Sequence, residues 1–154
     1  MMTRTKTMLQ YFWAHRSVTL ELMKKIDEKN YDYKPTPTSM SAQELSSHIV
    51  TSFYNLAATA KRGDTSAFAE NREDSSNILS LAEQYTEKTK DLLATFSDEE
   101  FDRVVDLTNL FGMKLSGRQL LQLAMDHEIH HKGALFVYVR ALGHTELPMF
   151  IQRV

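Results

Sequence analysis

At 154 residues, with 42% hydrophobic and 25% charged content, the chain has the size of one soluble domain and can bury a substantial core. Its 18 basic and 20 acidic residues give a net charge of −2 with no Lys/Arg block, so a large nucleic-acid footprint is not expected. Cysteine is absent, so disulfides, thiolate metal ligands and a cysteine nucleophile are excluded, and any metal must be held by His, Asp or Glu.

The N-terminal MMTRTKTMLQYFW enters an amphipathic pattern without an apolar signal core, and no stretch approaches the ~18 apolar residues of a membrane span. A cytoplasmic protein with no membrane partner is expected. From Thr7 to Asp27, Met8, Tyr11, Phe12, Val18, Leu22 and Ile26 recur at three- and four-residue steps and predict a first helix. KNYDYKPTPTSM then holds all but one of the prolines and leads to Ser41 and Glu44, an S-x-x-E capping signal. A second helix is predicted over Ala42 to Arg62, ended by Gly63. GDTSAFAENREDSS reads as a polar loop, and Ile78, Leu81, Tyr85, Leu92 and Phe96 mark a third helix.

SDEEFDRVVDLTNLFGMKLS opens as a helical turn and continues through Val104, Val105, Leu107 and Leu110 to a turn at Phe111-Gly112, so a short extended hairpin is expected there. Ser116 caps a long fourth helix, GRQLLQLAMDHEIHHKGALFVYVRAL, which Gly143 should end, and the tail HTELPMFIQRV reads as irregular and packed on the rest. Four long amphipathic helices without repeats or low-complexity stretches predict an all-α, four-helix bundle forming a single domain over residues 1–154.

Six histidines carry the functional question. At 100° per residue, His127 and His131 lie ~40° apart on the face shared by Leu120, Ala124, Ala134 and Tyr138, so two imidazoles point inward from adjacent turns. That spacing lets both rings meet one zinc, nickel, copper or iron ion, whereas two such rings in a core without a partner would be costly. His130 also has a workable i,i+3 spacing from His127, but the apolar stripe centres on the i,i+4 pair. His48 shares a polar helical face with Ser41, Glu44, Leu45, Thr51, Ser52 and Asn55, and periodicity leaves it open between a solvated histidine and a ligand. Glu44 and Asn55 are placed to orient an imidazole or a water, or else to face solvent. His15 in QYFWAHRS reads as an exposed or half-buried helix residue, and His144 as solvent-facing.

His127, Glu128 and His131 also spell H-E-x-x-H, the metalloprotease pattern in which the glutamate activates water. The longer H-E-x-x-H-x-x-G-x-x-H form fails, because Gly133 stands one place early and Val137 occupies the last histidine position. A downstream glutamate ligand fares no better: Glu146, between Gly143 and Pro148, has no helix to carry it. A peptidase is therefore not expected, and Glu128, ~100° round the helix from His127, remains a candidate catalytic base only if the site opens toward its side.

The fourth-helix LSGRQLLQLAMDHEIHHKGALFVYVRALG, the first-helix YFWAHR and His48 after ELSS together resemble the DinB/YfiT-like family, the DNA-damage-inducible DinB proteins of bacteria. The likeness covers nearly the whole chain. It implies a four-helix bundle in a variant of the up-and-down arrangement, binding a divalent metal through His48, His127 and His131. The resemblance thus supplies the third ligand that spacing left open. The chain departs from the family pattern where Ala134 follows Gly133, in place of a common glutamine, and where His15 stands at a common asparagine position. Three neutral imidazoles would leave the ion, Zn, Ni, Fe or Mn, with its charge and with open positions, which is catalytic architecture. The expected function is a metal-dependent enzyme on a small molecule, a thiol-dependent S-transferase using a low-molecular-weight thiol, or a hydrolase. A non-catalytic, stress-related metal- or ligand-binding bundle is the alternative, and a homodimer is implied by the resemblance.

Overall fold

The structure, a computed structural model, describes residues 3–70 and 76–153. Four long helices, α1 (Arg4–Lys24), α2 (Ala42–Arg62), α3 (Ile78–Ala94) and α6 (Gly117–Ala141), form the bundle. Between α3 and α6 the chain makes a short helix α4 (Asp98–Asp102), strand β1 (Val104–Asp106), a single helical turn α5 (Thr108–Phe111) and strand β2 (Lys114–Ser116). The strands pair antiparallel with Val104 opposite Ser116 and Asp106 opposite Lys114, which is the expected hairpin. The polar stretch after Gly63 contains a 3-10 turn at Ser66–Ala69, and its residues 71–75 lie outside the described residues.

Capping fixes the helix ends. Ser41 Oγ accepts from Glu44 N, and Gly63 ends α2 in the left-handed conformation with φ 79°. At α6, Ser116 and Gln119 form the reciprocal capping box. Helix α1 starts three residues earlier than its apolar repeat, because Thr3 Oγ1 accepts from Lys6 N and nucleates the polar turn Arg4–Thr7. It also ends earlier, at Lys24, although Ile26 remains buried. Gly117 is required by close approach: a Cβ there would lie 2.0 Å from Glu100 O, so α6 can begin against α4 only with a bare backbone.

Helix α2 packs on α3 and α6, and α1 packs on the same two, which places α1 and α2 on a diagonal. The connection across that diagonal is pinned by Ala42 N to Tyr33 O (2.9 Å) and Gln43 N to Tyr31 O (3.0 Å). The tail is irregular and tied down, with Gln152 N donating to Ala14 O at 2.9 Å.

The core divides in two. Val18, Leu22, Ile49, Leu81, Leu135 and Val139 belong to one apolar cluster, and Phe12, Phe53, Leu93, Leu121 and Met125 to the other. Along α1 and α6 a buried polar layer falls between them: Arg16, Thr19, Glu128 and Lys132. Among the described residues, no helix is long and apolar enough to cross a membrane.

Candidate metal centre

Helices α2 and α6 lie side by side, so inward-facing residues near their middles meet across one interface. His48 comes from α2, and His127 and His131 come from successive turns of α6. Their rings converge: His48 Nε2 lies 3.0 Å and His131 Nε2 3.1 Å from His127 Nε2. One ligand nitrogen from each lies within 4.8 Å of the others, and this is the one such cluster among the described residues. All three are half-buried.

Neutral imidazoles alone satisfy this arrangement poorly. A neutral imidazole Nε2 carries either one N–H or one lone pair, so His127 Nε2 must share that single donor or acceptor between two neighbours. A shared cation resolves the conflict. At the ~2.0–2.1 Å bonds of zinc to imidazole, two ligand nitrogens are separated by about 2.9 Å at a right angle and about 3.3 Å at a tetrahedral one, close to the contacts found here. The donor set therefore fits a divalent ion with imidazole preference.

Electrostatics keep the rings ready. Burial, then the His48 and His130 imidazoles, push His127 below its ordinary value, with Glu128 opposing. His131 is pushed down to about 4, by burial first and then by His127, His48 and His130. Both rings are thus neutral near neutral pH, the form in which an imidazole could bind a metal. Ser52 Oγ, one turn after His48, lies 3.3 Å from its Nδ1 and can hold the ring with Nε2 toward α6.

A pocket of about 640 Å³ opens beside the cluster, and His48 and His127 form part of its wall. Apolar side chains from three segments complete it: Phe68 after α2, Phe111, Met113 and Leu115 from the hairpin, and Leu56 and Leu123 from the helices. Gln119, Gln122 and Asp126 are its polar edge, with Gln122 Nε2 donating to Asp126 Oδ1 at 2.9 Å.

Glu128 points elsewhere. Its carboxylate is buried and accepts from Arg16 Nε (2.9 Å) and Nη2 (2.6 Å) and from Thr19 Oγ1 (3.0 Å), while Arg16 Nη1 donates to Thr86 at 3.0 Å. The guanidinium also stacks over Phe12, 4.7 Å from the ring centre. The pocket opens on the Asp126 side of His127 and not on the Glu128 side, a choice between −100° and +100° that one helix cannot reveal. His130 is exposed, with its ring centre 4.8 Å from that of His131. Glu44 is exposed, and Asn55 and His144 are half-buried.

His15 is a correction to its expected exposure. It is buried at 3%, and Lys132 Nζ donates to its Nδ1 at 2.6 Å while also donating to Phe150 O of the tail. Burial, then Lys132, push the His15 imidazole down, and burial pulls Lys132 to about 8 against the opposing pull of Glu128. This buried layer escaped sequence reading, yet it left a signal. Arg16 stands four residues after Phe12, and Glu128 four after Ala124, so both occupy core positions of their helices.

Comparison with known proteins agrees with this architecture. The family model described as the DinB family matches residues 1–153. The uncharacterized protein YjoA of Bacillus subtilis is 51% identical over 154 residues, covering 99% of this chain and all of that protein. The crystal structure of that DinB-like protein aligns with a TM-score of 0.90 over 96% of this chain and 99% of that one. A DinB-family structure from Exiguobacterium sibiricum shares the fold at 18% identity, with a TM-score of 0.73 over 97% and 99% of the two chains.

Proposed function

This chain belongs to the DinB family, and on that footing we propose that it is a divalent-metal-dependent enzyme acting on a small molecule, as a thiol-dependent S-transferase or a hydrolase. The observation that carries the reading is the meeting of three half-buried imidazoles, His48, His127 and His131, at ring-nitrogen spacings that suit a shared cation. A bound divalent ion supplies positive charge and Lewis acidity at the pocket wall, enough to acidify a water or a thiol. The chain's own residues do the rest. Ser52 is placed to orient His48, apolar side chains line the approach, and three protein nitrogens would leave positions at a bound ion for a reactant from the pocket. Asp126, at the pocket edge, would be the carboxylate open to a proton that a thiol or water gives up, a role Glu128 does not fill while Arg16 holds it.

Elemental analysis of protein purified without an affinity tag tests the centre, with His48→Ala and His127→Ala expected to lose the ion. Assays of the metal-loaded protein with small thiols plus electrophiles, and with hydrolysable amides, test the reaction. A stoichiometric ion with no turnover in either assay, and coordination filled by four or more protein ligands, would favour a non-catalytic metal-binding bundle.

A further inference from the structure

The pocket beside the histidines has an uneven composition. Phe68, Phe111, Met113, Leu123 and Leu56 supply its walls, while Asp126 is its one formally charged lining residue, and neither Lys nor Arg lines it among the described residues. Its volume of about 640 Å³ lies within the ~300–1,000 Å³ of small-molecule sites. Phe68 and Phe111 meet edge to face, 6.2 Å between ring centres, although each is more than a third exposed. Met113 and Leu123 are likewise 50% and 37% exposed, so the walls are apolar surface held open around a concavity. A carboxylate or sulfonate entering it would lose water, meet no protein cation and approach Asp126, an arrangement that costs free energy. An aromatic or branched apolar body would lose nothing of that kind and would bury wall and ligand together.

We propose that this pocket selects an uncharged molecule with an aromatic or branched apolar body, presented to the His48 and His127 side of the cluster, and that Phe68, Phe111 and Met113 set that selectivity. The inference rests on the metal-enzyme reading for its chemistry but not for its binding, which the metal-free chain should already display. It also separates two reactants: a charged low-molecular-weight thiol would be held by the ion, and the apolar partner by the pocket.

Two fluorescent probes with one aromatic body test the selectivity. N-phenyl-1-naphthylamine is neutral, and 1-anilinonaphthalene-8-sulfonate adds a single anionic group. The metal-free protein should bind the neutral probe at one site at least about tenfold more tightly than the sulfonate. Phe111→Ser and Met113→Asp should each weaken the neutral probe about tenfold, and Phe68→Ser offers an independent wall variant should a hairpin variant misfold. Val137→Asp, at an exposed position that does not line the pocket, should change nothing. Asp126→Asn should narrow the preference by tightening the sulfonate. Equal affinity for the two probes, or neutral-probe binding indifferent to all three wall variants, would overturn the proposal. So would neutral-probe binding that disappears as protein concentration rises, because a second copy would then cover the pocket. Loss of metal binding alone would overturn the metal reading and leave this one standing.

Discussion

Helix α6 carries two polar clusters whose members are neighbours in sequence and opposites in chemistry. Glu128 meets a guanidinium and a hydroxyl, Arg16 meets that carboxylate, a second hydroxyl and two aromatic faces, and every contact joins unlike partners. One residue earlier, His127 meets two further imidazoles, so its ring contacts join like partners. The charged cluster is the more deeply buried, with Arg16 at 0% and Glu128 at 1% exposure. Burial therefore does not separate structural from functional polarity here. Complementarity does: the first cluster pairs unlike groups within the chain, and the second gathers three like groups that could share a cation.

Removing one member should separate the two most sharply. Arg16→Ala strands a buried carboxylate and is expected to cost about 3–5 kcal/mol in urea unfolding, while the double replacement Arg16→Met with Glu128→Leu recovers most of the loss. Equal destabilisation by the single and double variants would show that the pair does not act as a unit.

Acid should act on the other cluster. In the metal-free protein burial and the neighbouring imidazoles push His131 down to about 4, against ~6.5 when unfolded, so between these values the unfolded chain binds the proton more readily than the fold. Stability present above pH 6.5 is then lost progressively as pH falls toward 4. His131→Ala should flatten this stretch of the urea-versus-pH curve, and an unchanged slope would place the titration elsewhere.

Added metal should stabilise one cluster alone. At free ion a hundredfold above Kd, the wild type should gain about 2.7 kcal/mol, and His127→Ala essentially nothing. The smallest effect concerns orientation: Ser52→Ala removes the hydroxyl at His48 Nδ1 and should weaken metal affinity about tenfold without changing metal-free stability beyond about 0.5 kcal/mol. Unaltered affinity would show that His48 is held by packing alone.

Legibility in the sequence followed the range of the physics. Ser41, Gly63 and Ser116 act within a turn of their own helices, so the limits of α2 and the start of α6 could be read directly. The inward face of His127 and His131 is likewise a property of one helix, whereas His48 as their third partner needed the family resemblance, because no periodicity relates α2 to α6. The start of α1 was missed because Thr3 nucleates a polar turn that carries no apolar repeat. Its charged layer was missed for a different reason. Arg16 and Glu128 are 112 positions apart, and a charge in an amphipathic helix reads as surface until its counter-charge is known. The same ignorance of neighbours put His15 near solvent and kept Glu128 a candidate base. Only the packed bundle shows that the pocket opens beside Asp126.

Titration of the metal-free, untagged protein with cobalt(II), followed by visible absorption, tests the shared-cation claim most directly. Saturation is expected at about one equivalent with the intense bands of a low-coordinate centre, lost in His48→Ala, His127→Ala and His131→Ala and kept in His130→Ala. A folded wild type that gives no saturable absorption, or three alanine variants that all retain it, would contradict the claim.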